Sequence, residues 1–478
     1  MEKIVNFDWA SVQMEALLVV FAVLTLVFAA CFGRRFERLV SAFAFAGMYA
    51  ALVVNFVFPQ SSGALLSQNN AFGALIVICS IFTAQMSFGF FAKTGSSARN
   101  EFIAVLMICA ASLSLFVRSN NLMLTFVALE CATICLYVMT AFGRNVLSSV
   151  EAGIKYVIVG GLSGAVLLMG IALAYGAGRT SGVDFLWFEN FSTGLMNKMF
   201  FAAAALILAG VFFKIAAFPF QFWAPDVYQG APAPVSAFLA VASKAAGIVF
   251  LAKFCAAIKF DSPELLVLRE HLITAVSAVA ILTMLIGNLG GITQVRVKRL
   301  MAFSGISNAG YLLVLVVAML KEPSVIDTFA PVLYFYLGAY MLANYAIFFT
   351  INGFEGADDS MQSLSDYRGM MGKSPSTAMS MITSLASLAG IPPTAGFFGK
   401  VLVLLLAWNA QLYWLIGVLV LGSAISIYYY FGWIRAMLEK SEKRETVFAP
   451  TPSTKATVVV LAVAVVAVST IVFSFAGA

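Results

Sequence analysis

Long apolar runs alternate with short polar clusters from one end of the chain to the other. A helix needs about 20 mostly apolar residues to cross a bilayer, so this pattern predicts an all-α, polytopic membrane protein. The fourteen candidate spans lie near residues 16–32, 39–58, 71–92, 102–117, 122–142, 153–176, 199–222, 233–257, 272–289, 300–320, 329–351, 376–406, 411–434 and 456–476.

The composition agrees with a membrane location and excludes several kinds of site. Of the 478 residues, 62% are hydrophobic and 10% are charged, whereas about a quarter of the residues in a soluble protein are charged. The single histidine, His271, is too little for the usual zinc, haem or catalytic-triad sites. The six cysteines form no C-x-x-C pair, and no glycine-rich nucleotide-binding motif is present.

The lysines and arginines between the spans predict the orientation. Seventeen lie in one set of alternate connections and seven in the other, and four of the 28 remain inside spans. The poorer set is Lys3, Arg118, Arg179, Lys198, Lys259, Arg269 and Lys321. Because the cytoplasmic side carries the basic excess, both termini are expected on the non-cytoplasmic side of a bacterial inner membrane.

The charges inside the spans are the candidates for chemistry. A charge at the bilayer centre costs about 3 kcal/mol or more, so such residues normally face the bundle interior and mark ion pathways. The lysines concerned are Lys214, Lys244, Lys253 and Lys400, and the one acidic residue deep in a span is Glu130.

Glu130 and Lys214 are predicted to act in proton transfer. Glu130 has only apolar neighbours in sequence, so its partner must come from another helix; the alternative is a neutral, hydrogen-bonded carboxyl. Lys214 precedes Pro219, which cannot donate to the carbonyl of Ile215, so the helix should break beside the lysine. A purely structural pairing is the alternative for Lys214.

Lys244 and Lys400 complete the predicted set. Small residues flank Lys244 and leave room for close packing or water. Lys400 ends a segment rich in glycine that contains Pro392 and Pro393, so a second span should be interrupted there. Lys253 lies nearer the end of its span and is predicted to extend toward the interface without a chemical role.

The two interrupted spans suggest an internal repeat. Five spans lie within 101–257 and five within 271–435, and an odd number reverses the second block, so the two units should be inverted. A three-helix segment, 1–100, would precede them and a C-terminal helix, 436–478, would follow. Between the lysine-bearing spans, four prolines from Pro219 to Pro234 predict an irregular surface loop. The stretch 355–373 is predicted to lie at the surface, as a solvated loop or as an amphipathic segment that contacts solvent or a partner.

The sequence resembles the subunit N family of proton-pumping NADH:quinone oxidoreductase, respiratory complex I, which is related to Mrp-type cation/proton antiporter subunits. The most specific block is P-F-Q-F-W-A-P-D-V-Y-Q-G-A-P-A-P-V-S-A-F-L-A-V-A-S-K at 219–244. Further matching pieces are E-A-G-I-K-Y at 151–156, V-K-R-L-M-A-F-S-G-I-S-N-A-G-Y at 297–311, D-Y-R-G-M at 366–370 and A-G-I-P-P-T-A-G-F-F-G-K at 389–400.

The resemblance implies a fold, a set of roles and a set of partners. It implies fourteen helices, with Glu130, Lys214, Lys244 and Lys400 at the family's proton-translocating positions. For these four residues to act together, we expect them to share one hydrated seam at mid-bilayer depth. NADH, FMN, iron–sulfur clusters and quinone would bind in partner subunits of a hetero-oligomer, and this chain would have no redox site. Two departures are Gln221 and Asn308, where many relatives have histidine, and neither side chain titrates near neutral pH.

Two other functions remain open from the sequence. The first is a subunit of a Mrp antiporter, or of a hydrogenase or dehydrogenase complex built on the same scaffold. The second is a non-pumping structural subunit whose buried charges only fix helix packing.

Overall fold

The computed structural model describes residues 12–57, 70–178, 194–258, 263–356, 362–439 and 452–476, and helices dominate these ranges. Twelve helices within them are long and apolar enough to cross a membrane. The helices are α1 (Gln13–Phe32), α2 (Glu37–Val57), α3 (Asn70–Thr94), α4 (Arg99–Arg118), α5 (Leu122–Thr140), α6 (Leu147–Gly178), α7 (Gly194–Ile215), α8 (Trp223–Gly230), α9 (Ala233–Phe238), α10 (Lys244–Ala257), α11 (Pro263–Ile292), α12 (Val297–Lys321), α13 (Ile326–Phe354), α14 (Met370–Lys373), α15 (Pro375–Ala389), α16 (Ala395–Asn409), α17 (Tyr413–Leu438) and α18 (Pro452–Ala476).

The prediction of an all-α membrane protein is confirmed. Each of the fourteen apolar segments contains helix, although the segment 199–222 runs seven residues beyond the end of α7. The segment 376–406 is divided between the short helices α15 and α16. The segment 233–257 consists of α9, a π-helical turn at Leu239–Ser243 and α10.

The centre of the bundle is formed by α9, α10 and α12, whose described side chains are almost all buried. Helices α5 and α6 lie at the outside, where Val127, Ile158 and Leu162 are exposed. Apolar side chains that face lipid lose nothing by exposure, so burial at the centre depends on packing and polar contacts rather than on hydrophobicity alone.

Contacts near the ends of the helices agree with the division of basic residues into two sets. Lys155 and Arg299, from the richer set, both pair with Asp226, at 3.3 and 2.5 Å. Arg269, from the poorer set, donates to the backbone carbonyls of Leu320 and Lys321, at 2.6 and 2.8 Å. Of the other residues in these sets, Lys3, Arg179, Lys259, Lys440, Lys443 and Arg444 lie outside the described residues.

The predicted surface loop after Pro219 is wrong for most of its length. Residues Trp223–Gly230 form helix α8, and Trp223 and Tyr228 are buried. Pro225 and Pro234 lie in the first turns of α8 and α9. Backbone amides in a first turn have no acceptor within the helix, so proline removes no hydrogen bond there.

The segment 355–373 lies at the surface only in part where it is described, since Arg368 and Lys373 are exposed while other residues are buried. Glu355 and Tyr367 are buried, and the Tyr367 ring packs 4.4 Å from the Phe354 ring and 5.3 Å from the Trp433 ring, between centroids. Residues 357–361 of this segment lie outside the described part of the chain.

Candidate functional site

Lys214 lies in the last turn of α7, one residue before the helix ends at Ile215. Its side chain is buried, and Nζ donates to the Thr133 hydroxyl on α5 over 3.1 Å. Lys214 therefore sits where α7 stops and touches a polar group on a neighbouring span.

The backbone at the end of α7 is irregular but hydrogen-bonded. Ala216 adopts a positive φ of 57°, and the Ala217 amide donates back to the Phe212 carbonyl over 2.8 Å. The Phe218 amide donates to the Thr283 hydroxyl over 2.9 Å, and the Trp223 indole donates to the Phe213 carbonyl over 3.1 Å. These bonds satisfy backbone groups that a break at this depth would otherwise leave unpaired.

Glu130 lies on α5, one turn before Thr133 and on the same face. Its carboxylate is half-buried against Gly164 of α6, where a Cβ atom would overlap it. Among the described residues it forms no ion pair with Lys214 within 4.0 Å, although the two groups interact electrostatically at longer range. Lys214 therefore hydrogen-bonds Thr133, and Glu130 lies one turn before Thr133 on the same helix.

Lys244 is the first residue of α10, immediately after the π-helical turn. It is buried, and its Nζ has no hydrogen-bond acceptor among the described residues. The ammonium lies 5.4 Å from the centre of the Tyr228 ring and against Gly305 of α12, where a Cβ atom would overlap it. The nearby Tyr340 hydroxyl also lacks a partner within the described ranges.

Lys400 is the sixth residue of α16 and reaches back to the end of α15. Its Nζ donates to the carbonyls of Leu388 and Ala389 over 2.9 and 3.0 Å, and it lies 5.1 Å from the centre of the Tyr311 ring. Helix α15 ends at Gly390 in the left-handed conformation, with φ 85°, and Pro392 and Pro393 follow before α16 begins. A cation at the carbonyl end of a helix is favoured by the helix dipole.

A small cavity lies between the surroundings of Lys244 and those of Lys400. It is lined by Asn308, Tyr336, Tyr340 and Lys400, among others, and its volume of about 10 Å³ leaves room for about one water molecule. Within it the Tyr336 hydroxyl donates to Asn308 Oδ1 over 2.7 Å, and Asn308 Nδ2 donates to the Ser304 carbonyl over 2.8 Å.

Lys214 and Lys244 are joined through helix α10. Gly247 lies one turn after Lys244, and a Cβ atom there would be 3.6 Å from Lys214 Cγ. The three lysines therefore follow one another through the bundle, and Asn308 lies between the second and the third.

Two further residues from the sequence analysis, Gln221 and Lys253, lie outside this row of lysines. Gln221 is half-buried in the break after α7, and its Oε1 has no partner among the described residues. Lys253 is buried, and its Nζ donates to the carbonyls of Val117, Arg118 and Ser119 at the end of α4, over 2.8 to 3.2 Å. Its extension toward the membrane interface stays a prediction.

Two buried ion pairs were missed by sequence reasoning. Lys298 and Glu355 are 2.7 Å apart, and Arg118 and Glu15 are 3.1 Å apart. All four residues lie near helix ends, where a charge in the sequence appears solvated. The available signal was the position of Lys298 in the first turn of α12, within V-K-R-L, where a lysine opposes the helix dipole and needs a reason to be there.

The bundle, its two interrupted helices and the buried lysines define an antiporter-like membrane subunit. Residues 119–426, which include Glu130 and the three lysines, match the family described as NADH:quinone oxidoreductase/Mrp antiporter, TM. The chain belongs to this family.

Individual relatives give the same assignment. The NADH-quinone oxidoreductase subunit N 1 of Opitutus terrae is 36% identical over 451 residues, which cover 90% of this chain and 87% of the relative. A chain of respiratory complex I from Thermus thermophilus with bound aureothin superposes with a TM-score of 0.78 at 29% identity, covering 95% of this chain and 96% of that one. A chain of the Mrp complex from Dietzia sp. superposes with a TM-score of 0.79 at 19% identity, covering 97% and 95%, and shows the shared fold.

Proposed function

We propose that this chain is a membrane subunit of a proton-translocating NADH:quinone oxidoreductase and forms one of its proton channels. The observation that carries the proposal is Lys244, a buried lysine with no hydrogen-bond acceptor in the described part of the chain, placed between two lysines that each lie at a helix break. A buried charge in such a place is costly to maintain and normally marks an ion pathway.

The surroundings of the three lysines suggest how a proton would move. The Lys214 ammonium has one hydroxyl acceptor, that of Lys400 has two carbonyl acceptors, and that of Lys244 has none among the described residues. Lys244 therefore has the fewest acceptors for a bound proton, which suits a relay between two lysines that hydrogen bonds hold in place. Glu130 would modulate Lys214 through its charge, and Lys400 would exchange protons with the non-cytoplasmic side.

The energy must come from outside this chain. Moving one charge across 100 mV requires about 2.3 kcal/mol, and rearranging charges in a low-dielectric interior supplies energies of that order. In this proposal NADH, FMN, iron–sulfur clusters and quinone bind in partner subunits, this chain has no redox site, and the complex is a hetero-oligomer in the bacterial inner membrane. Both termini would lie on the non-cytoplasmic side.

The sequence comparisons favour this function over a Mrp antiporter. The two solved structures superpose about equally well on this chain, so the fold does not separate the two functions. The identity to the subunit N relative, 36%, is well above the 19% to the Mrp chain. Purification of the native complex would distinguish them, since copurifying flavin and iron–sulfur proteins support a redox arm and their absence supports the antiporter.

The role of Lys214 is tested by Lys214→Ala in the assembled complex. We expect NADH-driven proton pumping to fall relative to the wild type at equal complex content, because the first lysine of the route is lost. Unchanged pumping in an assembled complex that contains Lys214→Ala would refute the mechanism.

A further inference from the structure

The buried pair Lys298 and Glu355 lies in the gap between α8 and α9, two short helices that precede Lys244. Lys298 Nζ donates to the carbonyl of Ala231, which follows the end of α8, over 2.8 Å. Glu355 Oε2 accepts from the amide of Ala233, the first residue of α9, over 3.2 Å. The two side chains are 2.7 Å apart and both are buried, so the ion pair fills the break and binds both of its backbone ends.

The pair is itself held by neighbouring elements. Gln362 Nε2 donates to Glu355 Oε1 over 3.3 Å, and Lys93, at the end of α3, donates to the Glu355 carbonyl over 2.8 Å. A buried ion pair repays its desolvation only when such additional hydrogen bonds are present. These hydrogen bonds therefore hold the ion pair in one position.

By fixing the backbone at the break between α8 and α9, the ion pair determines where Lys244 lies. From Ala233 the chain continues through α9 and the π-helical turn Leu239–Ser243 to Lys244, all buried. A shift of one residue at the start of a helix rotates every later side chain by about 100°. Fixing the Ala233 amide thus fixes the direction in which Lys244 points.

Helix α12 makes the second contact. Lys298 and Gly305 are seven residues, about two turns, apart on α12 and so share one face. Gly305 lies against the Lys244 ammonium, while Lys298 binds the break. The segment that bears Lys244 is consequently attached to one face of α12 at both of its ends.

We infer that Lys298 and Glu355 are positioning residues that hold the break between α8 and α9 and thereby keep Lys244 in line with Gly305 and the cavity beyond it. This inference rests on the proposed proton-translocating function. It assigns a role in the mechanism to two residues outside the row of lysines.

The test measures the proton-to-electron ratio of the complete complex in proteoliposomes. In the double variant Lys298→Met with Glu355→Met no buried charge is left unpaired, but both backbone hydrogen bonds are lost. The matched control is Glu15→Met with Arg118→Met, which removes the other buried ion pair, at the ends of α1 and α4. Lys244→Met is measured in parallel.

We expect the Lys298 and Glu355 double variant to lose as much of the ratio as Lys244→Met, and the control pair to keep the wild-type ratio. Lys298→Arg should keep it too, since a guanidinium can donate to both the Ala231 carbonyl and Glu355. If the first double variant assembles too poorly, Glu355→Gln, which nearly keeps the shape but removes the charge, should show a ratio between wild type and Lys244→Met.

The experiment distinguishes failure of the positioning role from failure of the proposed function. A wild-type ratio in the Lys298 and Glu355 double variant, or in Glu355→Gln, together with a reduced ratio in Lys244→Met, overturns the positioning role and leaves the proposed function intact. A wild-type ratio in Lys244→Met itself overturns the proposed function, and the positioning role with it.

Discussion

Lys214, Lys244 and Lys400 differ mainly in the acceptors that surround their ammonium groups. Thr133 provides one hydroxyl for Lys214, and the end of α15 provides two carbonyls for Lys400. Since each charged hydrogen bond stabilises an ion by about 1.5 to 3 kcal/mol, in the proposed mechanism these acceptors contribute to how firmly each lysine holds a proton. Removing an acceptor should therefore change transport more than it changes folding.

The Thr133→Val substitution tests this at a single atom. Valine keeps the shape but removes the hydroxyl that accepts from Lys214, which leaves a buried donor unpaired at a cost of about 1 to 3 kcal/mol. We expect normal assembly and a lower proton-to-electron ratio in reconstituted complexes. The matched control is Thr125→Val on the same helix, because the Thr125 hydroxyl is buried without a partner among the described residues. Equal ratios in both variants would contradict the role of Thr133.

The sequence reveals a buried charged residue only when that residue interrupts an apolar run. Lys214, Lys244 and Lys400 stand out because each interrupts an apolar run, where a charge is costly. Lys298 and Glu355 lie at helix ends, where sequence gives no sign of whether a charge meets water or protein. Their pairing arises from the folding of distant segments onto each other.

At the scale of elements, close packing between α10 and α12 depends on Gly305. A methyl group at this position would overlap the Lys244 ammonium, so Gly305→Ala should displace the lysine and lower the proton-to-electron ratio. In the control, Gly338→Ala on α13, a new Cβ atom meets nothing within 4 Å. The same assay compares the two, and a wild-type ratio in Gly305→Ala would show that Lys244 does not need its observed position.

The interruptions of the helices were partly predictable. Pro219 and the pair Pro392 and Pro393 indicate breaks, and α7 and α15 end just before them. The loop predicted around Pro225 is wrong, because proline is excluded from the interior of a helix but accepted in its first turn. A single proline does not indicate which of these two positions it occupies. The π-helical turn before Lys244 has no signature in the residues Leu239–Ser243, so the sequence does not predict it.

At the scale of the molecule, the division of basic residues predicts which face is cytoplasmic. Single cysteines at two exposed positions test it in a Cys31→Ala background, since Cys31 is an exposed thiol. Arg144→Cys should react with a membrane-impermeant maleimide in inverted vesicles, and Lys321→Cys in right-side-out vesicles. The opposite pattern would reverse the orientation, and with it the side on which Lys400 exchanges protons.

Hydropathy identifies the spans of the whole molecule but not their neighbours. The apolar runs place fourteen segments correctly because the cost of exposing the backbone to lipid leaves only helices. That α9, α10 and α12 form the buried centre depends on small residues and polar contacts spread over distant segments, such as Gly305 and Lys298. The boundaries at residues 100, 257, 271 and 435 and the inverted repeat stay predictions.

The most direct test of the account is the proton-to-electron ratio of reconstituted complexes that carry Lys400→Met, compared with Lys253→Met. Both variants remove a buried lysine that binds the carbonyl end of a helix, but only Lys400 borders the central cavity. We predict a reduced ratio for Lys400→Met and the wild-type ratio for Lys253→Met in complexes that assemble. A wild-type ratio in assembled Lys400→Met complexes would contradict the account and make the buried lysines a structural scaffold.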